Sequence, residues 1–167
     1  MWIIAKYIKY IVIFGVLWFA LISYRTFSCH KIYDTAMEPG IKCDEFKTVR
    51  AGQRAMDQIQ VGDVVFFQCL TSARQETPYF CGRVVAKEGD RVEIMNGKIK
   101  LNGQDKTEAY VQADAVVGTE NFAEIIIPRG HYFILGDNRK MARLKDSRAF
   151  GPIPLEALVG KVSEGMW

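Results

Sequence analysis

An unbroken apolar run near the N-terminus gives way to short alternating segments, and that change of pattern divides the chain. Residues 10–24 carry no charge, with IVIFGVLWFALIS between two tyrosines, Lys6 and Lys9 ahead and Arg25 behind. Extended from Trp2 to Phe27 the run covers about 20–25 residues, the length of a membrane-crossing helix whose lysines snorkel. Trp2, Tyr7, Tyr10 and Tyr24 suit the two interfaces. Lys6, Lys9 and the terminal amine place the N-terminus in the cytoplasm by the positive-inside rule, with Arg25 and Lys31 pulling the other way. A cleaved signal peptide is the competing reading, but Arg25-Thr26-Phe27-Ser28 makes a poor cleavage site. Thr26 also stands where a lipoprotein at Cys29 would want leucine. The expected division is a cytoplasmic 1–9, an anchor over 10–27 and an extracytoplasmic β domain over 28–167.

Beyond the anchor the apolar positions come in short runs separated by turn residues, the pattern of a β-rich domain. Val64-Val65-Phe66-Phe67 follows Gly62-Asp63 and predicts a buried strand. Arg83-Val84-Val85-Ala86 predicts another, ended by Gly89-Asp90. Val92 and Ile94 alternate with charged neighbours, Asn96-Gly97 supplies a two-residue type I′ turn, and Ile99 and Leu101 alternate out again. Ile125-Ile126-Ile127 and Tyr132-Phe133-Ile134-Leu135 are further strands, divided by Pro128-Arg129-Gly130. The polar residues from Gln104 to Asn121 read as a surface excursion. Beyond the anchor, a helical turn is expected only near Leu155 to Leu158.

Composition changes this picture little. The 167 residues allow one domain plus attachments, and the net charge of +3 with basic residues scattered argues against nucleic-acid binding. The four cysteines, Cys29, Cys43, Cys69 and Cys81, form no Cys-x-x-Cys pair, so no zinc site is expected. A Cys69–Cys81 disulfide would tie a hairpin in an oxidising compartment, and unpaired thiols are the alternative; spacing does not decide between them.

Four stretches carry a resemblance: Ala36-Met37-Glu38-Pro39-Gly40-Ile41, Gly62-Asp63-Val64-Val65-Phe66, Gly82-Arg83-Val84-Val85-Ala86-Lys87-Glu88-Gly89-Asp90, and Gly136-Asp137-Asn138-Arg139 with Asp146-Ser147-Arg148 beyond it. In this order and spacing they resemble the signature boxes of the type I signal peptidases, also called leader peptidases. The resemblance covers roughly residues 33–163. It implies an antiparallel β domain on a coiled, barrel-like core, with one N-terminal transmembrane helix, and no cofactor or metal. It also implies a serine endopeptidase of protein secretion, in which a lysine depressed by burial deprotonates the serine.

At the positions of that chemistry this chain differs. The register fixed by Met37 and Pro39 puts Ala36 at the nucleophile. Gly82 stands at the base, and Ala142 or Leu144 at a second serine that hydrogen-bonds the lysine. Thr35 and Lys87 are weak substitutes, and Lys145 is a third; Thr35 points to the opposite face of an extended segment from its neighbour. His131 and His30 fall outside the family's catalytic positions. Lys140, Arg143 and Lys145 read as a solvated face, or as a contact for an acidic partner or lipid headgroups. The scaffold positions are retained: Met37, Pro39, Arg83, Asp137, Asn138, Arg139, Asp146, Ser147 and Arg148.

The function expected is a membrane-anchored binding protein on a signal-peptidase scaffold, a pseudoenzyme. It would hold an exported precursor, such as a pilus or conjugation subunit, as an added β-strand for processing or assembly. An active endopeptidase with a displaced catalytic pair, or a structural subunit of a membrane complex, are the alternatives. Trp167 and Met166 would join the bilayer surface or the core.

Overall fold

The computed structural model describes residues 2–31, 35–41, 46–50, 58–68, 79–111, 121–142 and 145–162. Helix α1 (Trp2–Thr26) comes first. Its side chains are described over residues 7–21 and all are exposed, Ile11, Phe14, Trp18 and Phe19 among them. Among these described residues no helix is long and apolar enough to cross a membrane, so the structure does not confirm the anchor expected over 10–27. The helix itself starts earlier than that span, at Trp2.

Strands β1 (Phe27–Lys31), β2 (Phe46–Arg50), β3 (Val64–Gln68) and β4 (Tyr79–Lys87) follow. Next come β5 (Arg91–Met95), β6 (Lys98–Leu101), β7 (Gln104–Lys106), β8 (Phe122–Ile126) and β9 (His131–Leu135). The short helix α2 (Ser147–Phe150), β10 (Ile153–Pro154), a 3₁₀ turn (Leu155–Ala157) and β11 (Leu158–Val162) close the domain. The strands form a seven-stranded sheet ordered β1-β2-β11-β3-β4-β9-β10 and a four-stranded sheet ordered β7-β6-β5-β8. The pairings are antiparallel in both, for example β3 with β4 and β5 with β6. The domain is mainly β, as expected.

Alternation along the strands explains the three buried clusters. In β3, Val64 and Phe66 join Met37, Ile41, Val49, Cys81 and Val162 on one face of the large sheet. Val65 and Phe67 turn to the other face, with Val84, Ile134, Ile153 and Leu158. A strand buried on both faces has no polar alternation, which is why Val64–Phe67 reads as a continuous apolar run. The third cluster joins the sheets: Val92, Ile94 and Ile99 of the small sheet pack with Val85, Ala86, Phe133 and Leu135 of the large one.

Several expectations need correction. The expected surface excursion opens with a short strand, β7, in which Gln104 and Asp105 are exposed; Lys106, Glu108 and Tyr110 beyond them are half-buried, and residues 112–120 lie outside the described residues. Asn102 (φ 54°) and Gly103 (φ 80°) make the same left-handed pair as Asn96 (φ 50°) and Gly97 (φ 76°), a second Asn-Gly hairpin signal. β8 begins at Phe122, ahead of the expected Ile125. No disulfide is seen among the described residues: Cys81 is buried in the first cluster, and Cys69 lies outside them. Cys43, Leu144, Arg143, Met166 and Trp167 also lie outside the described residues.

The Asn96-Gly97 turn yields a stability test. Replacing Gly97 by alanine forces a Cβ into the φ 76° conformation, which should cost about 1 kcal/mol. Urea denaturation should show a lower midpoint with an unchanged slope.

Candidate functional site

The site forms where β9 ends and the chain turns through Gly136, Asp137 and Asn138. The Asn138 N–H donates to Ala36 O at 2.9 Å, holding the Ala36 segment against this turn. Ala36 and Met37 are both buried, and Met37 anchors the segment in the first apolar cluster. The segment closes as a turn, with Ile41 N–H on Met37 O at 2.9 Å. Pro39 is exposed and joined to Glu38 by a cis peptide bond.

Three sequence positions meet around the Leu135–Gly136 peptide. A side chain begun at Gly136 would collide with Ala142 Cβ and with Ala36 O at 2.7 Å, and would lie 3.3 Å from Ala36 Cβ. Ala36 and Ala142 therefore crowd the same side of Gly136. On β4, a Cβ on Gly82 would lie 3.3 Å from Leu135 O and 2.5 Å from Ile134 Cγ2. The structure thus places Ala142 beside Ala36 and Gly136, while Leu144 lies outside the described residues. Ala36, Gly82 and Ala142 border one peptide unit, and none carries a group able to attack, abstract or donate a proton. Ile134 adds a steric fact: its γ2 methyl occupies the space where any side chain at residue 82 would start.

The substitutes fare differently. Lys87 is exposed at the far end of β4, with its backbone N–H on Asp90 Oδ2 at 3.0 Å. Five residues along a strand from Gly82 is roughly 16 Å, so Lys87 does not replace a base at that position. Thr35 is half-buried next to Ala36, and its carbonyl accepts Glu38 N–H at 3.2 Å. Lys145 is half-buried, with its backbone N–H on Ala142 O at 2.8 Å. His131 begins β9, at the opposite end from Gly136, with Nδ1 2.9 Å from Arg129 O. Among the described residues no group of His, Cys, Asp or Glu is placed to hold a metal ion.

The retained charges form two ion pairs flanking the same peptide. Arg83 grips Asp137 through Nε to Oδ1 at 3.0 Å and Nη2 to Oδ2 at 2.8 Å, while Nη1 donates to Gly62 O at 2.8 Å. Arg148 pairs with Asp146 at 2.7 Å and also donates to Arg139 O at 2.8 Å. Asp146 Oδ2 accepts Gly136 N–H at 3.2 Å, and Ser147 Oγ accepts Ile134 N–H at 2.8 Å. Asp146 also caps α2. The carboxylate that Arg83 grips is Asp137, while Asp146 pairs with Arg148.

Two site residues, Glu108 and Tyr110, were missed from sequence. Arg139, one of the expected scaffold positions, is fully buried, donates from Nε to Gly136 O at 2.9 Å, and pairs through Nη2 with Glu108 at 2.7 Å. Tyr110 donates to the same Glu108 oxygen at 2.6 Å, and its ring lies 4.3 Å beneath the Arg83 guanidinium. No charge count in sequence points to Glu108, because the signature boxes already hold Glu38, Asp63, Glu88 and Asp90 besides Asp137 and Asp146, and only the fold shows which carboxylates reach the arginines.

Burial shapes the electrostatics. It pushes the Asp137 carboxyl up, and the hydrogen bonds and charge of Arg83 pull it back only in part. Burial pulls Lys106 down, opposed by Glu108 and Asp90. Tyr110 is pushed well above the ordinary phenol value, first by burial and then by its hydrogen bond to Glu108.

Comparison with known proteins agrees with this geometry. The chain matches the family described as signal peptidase, peptidase S26, over residues 4–167. It is 30% identical over 181 aligned residues to signal peptidase IB of Staphylococcus aureus (strain COL), covering 99% of this chain and 88% of that one. It is 32% identical over 115 residues to the chloroplastic thylakoidal processing peptidase 1 of Arabidopsis thaliana, covering 65% of this chain and 32% of that one. The crystal structure of a signal peptidase I from Enterococcus faecalis superposes with a TM-score of 0.52 at 25% identity, covering 64% of this chain and 97% of that one. The chain belongs to the S26 signal peptidase family.

Two measurements test the site. Gly82→Ala should destabilise the fold by about 1–3 kcal/mol through overpacking against Ile134. Ile134→Leu, which removes the branch at Cβ, should relieve most of that cost in the double variant. A Gly82→Ala cost unchanged by Ile134→Leu would show that the methyl is not the obstacle. In an alkaline absorbance titration, Tyr110→Phe should remove a late-titrating phenol from the native curve. The sign follows from the raised folded value: above pH 10.0 the unfolded chain ionises first, so this tyrosine's contribution is full below that pH and lost above it.

Proposed function

We propose that this chain binds the signal-peptide region of an exported precursor without cutting it. The observation that carries the reading is the meeting of Ala36, Gly82 and Ala142 around the Leu135–Gly136 peptide, with Ile134 filling the space of a base. In a serine peptidase the nucleophile and its base work as a unit, and losing the unit costs on the order of 10⁶ in rate. Binding an extended peptide as an added strand needs neither group. Arg83–Asp137, Arg148–Asp146 and the Asn138–Ala36 hydrogen bond, which hold the Ala36 segment in place, are all retained. A pilus or conjugation subunit is the kind of precursor proposed, handed on for processing or assembly.

The same proposal includes the anchor. The helix of 25 residues reaches about 37 Å at about 1.5 Å per residue, against a hydrocarbon core of about 30 Å. Over residues 7–21 its apolar side chains are exposed around the whole circumference, the character of a helix that meets lipid or a partner helix. With Lys6 and Lys9 held in the cytoplasm, the β domain lies on the far side of the membrane.

The test is a precursor peptide with an apolar stretch ending in Ala-x-Ala, incubated with the full chain in detergent. Retention of the peptide at its intact mass is expected. Cleavage after the second alanine, abolished by Thr35→Val, Lys87→Ala or Lys145→Ala, would establish an active peptidase with a displaced pair. Neither retention nor cleavage would overturn the precursor-binding reading.

A further inference from the structure

The stretch from Lys106 to Tyr110 leaves the small sheet and makes three attachments to the site. Lys106 Nζ donates to Val85 O of β4 at 3.2 Å. Glu108 pairs with Arg139, and Tyr110 lies against Arg83 while donating to Glu108. The second and third attachments end on residues that shape the turn. Arg83 grips Asp137, whose neighbour Asn138 holds Ala36 O. Arg139 holds Gly136 O, and Asn138 O accepts the Ala142 N–H at 2.9 Å. Arg139 depends on this strap more than the other arginines do. It is fully buried, and among the described residues its Nη1 has no hydrogen-bond partner and its ion pair is with Glu108.

We propose that residues 106–110 are a latch through which the small sheet sets the geometry of the binding turn, with Glu108 and Tyr110 as its positioning residues. Opening the latch strands Arg139 in a buried site and removes the surface beneath Arg83. The cheapest relief is for the Asp137–Ala142 turn to swing outward, and the Asn138–Ala36 clasp then breaks. Movement at the small sheet would in this way loosen or tighten the binding turn. The latch rests on its own contacts, whatever peptide the groove takes.

Hydrogen exchange of the full chain in detergent tests the latch. Glu108→Gln should speed exchange at the Asn138 and Ala142 amides about tenfold and leave the hairpin amides of residues 91–101 at their native rates. Tyr110→Ala, which strands no charge, should give the same pattern. Acceleration confined to residues 104–111 would overturn the proposal, as would uniform acceleration across the domain or no change in either variant. Where the Ala-x-Ala peptide is retained by the native chain, its affinity should fall by a similar factor in both variants. Loose exchange with unchanged affinity would leave the latch standing and count against the turn as the peptide's seat.

Discussion

Everything at the site depends on a buried arginine–carboxylate grip. Arg83 holds Asp137 bidentately on one side of the Leu135–Gly136 peptide, and Arg148 holds Asp146 on the other. Neither Asp137 nor Asp146 is solvated, and burial raises the cost of keeping Asp137 ionised. Such a pair gives little net stability, yet removing one partner is severe, about 3–5 kcal/mol. That asymmetry makes the cluster self-preserving, because no single substitution leaves it by a downhill path. The Ala36 segment is tied to this turn by the Asn138 N–H and to the first apolar cluster by Met37.

The chemistry of the family has no such protection. Ala36, Gly82 and Ala142 lie beside the same peptide, and replacing a hydroxyl or amine there by a methyl or hydrogen leaves no buried charge behind. A depressed lysine is costly to keep, since burial opposes its charge. With glycine at residue 82, Ile134 Cγ2 lies 2.5 Å from where a Cβ would start, so a larger side chain there needs a concerted change at two positions. The proposed binding without cleavage and a stable clasp around the Ala36 segment are therefore compatible on energetic grounds.

Much of this was legible in the sequence because the informative residues sit in short, local patterns. Gly62-Asp63 before Val64, the Asn96-Gly97 turn and the Gly136-Asp137-Asn138-Arg139 turn each fixed a strand end from neighbours alone. The register set by Met37 and Pro39 was enough to put Ala36 at the site. What local pattern could not supply was long-range partnership. Glu108 and Tyr110 lie in a polar stretch with no periodicity, and their role is fixed by arginines at positions 83 and 139. The Ile134 obstruction is likewise invisible in sequence, because an isoleucine in an apolar strand gives no hint of which glycine faces it. The second Asn-Gly pair, Asn102-Gly103, was a plain local signal, and the polar composition after it concealed the hairpin.

The central claim is that the buried grip is kept to hold a binding turn. The most direct measurement is a double-mutant cycle on Arg83→Met and Asp137→Leu, reading both unfolding free energy and retention of the Ala-x-Ala peptide. Each single change should cost about 3–5 kcal/mol, and the pair together should recover most of that stability while retention stays lost. A double variant that is stable and retains the peptide as well as the native chain would contradict the account.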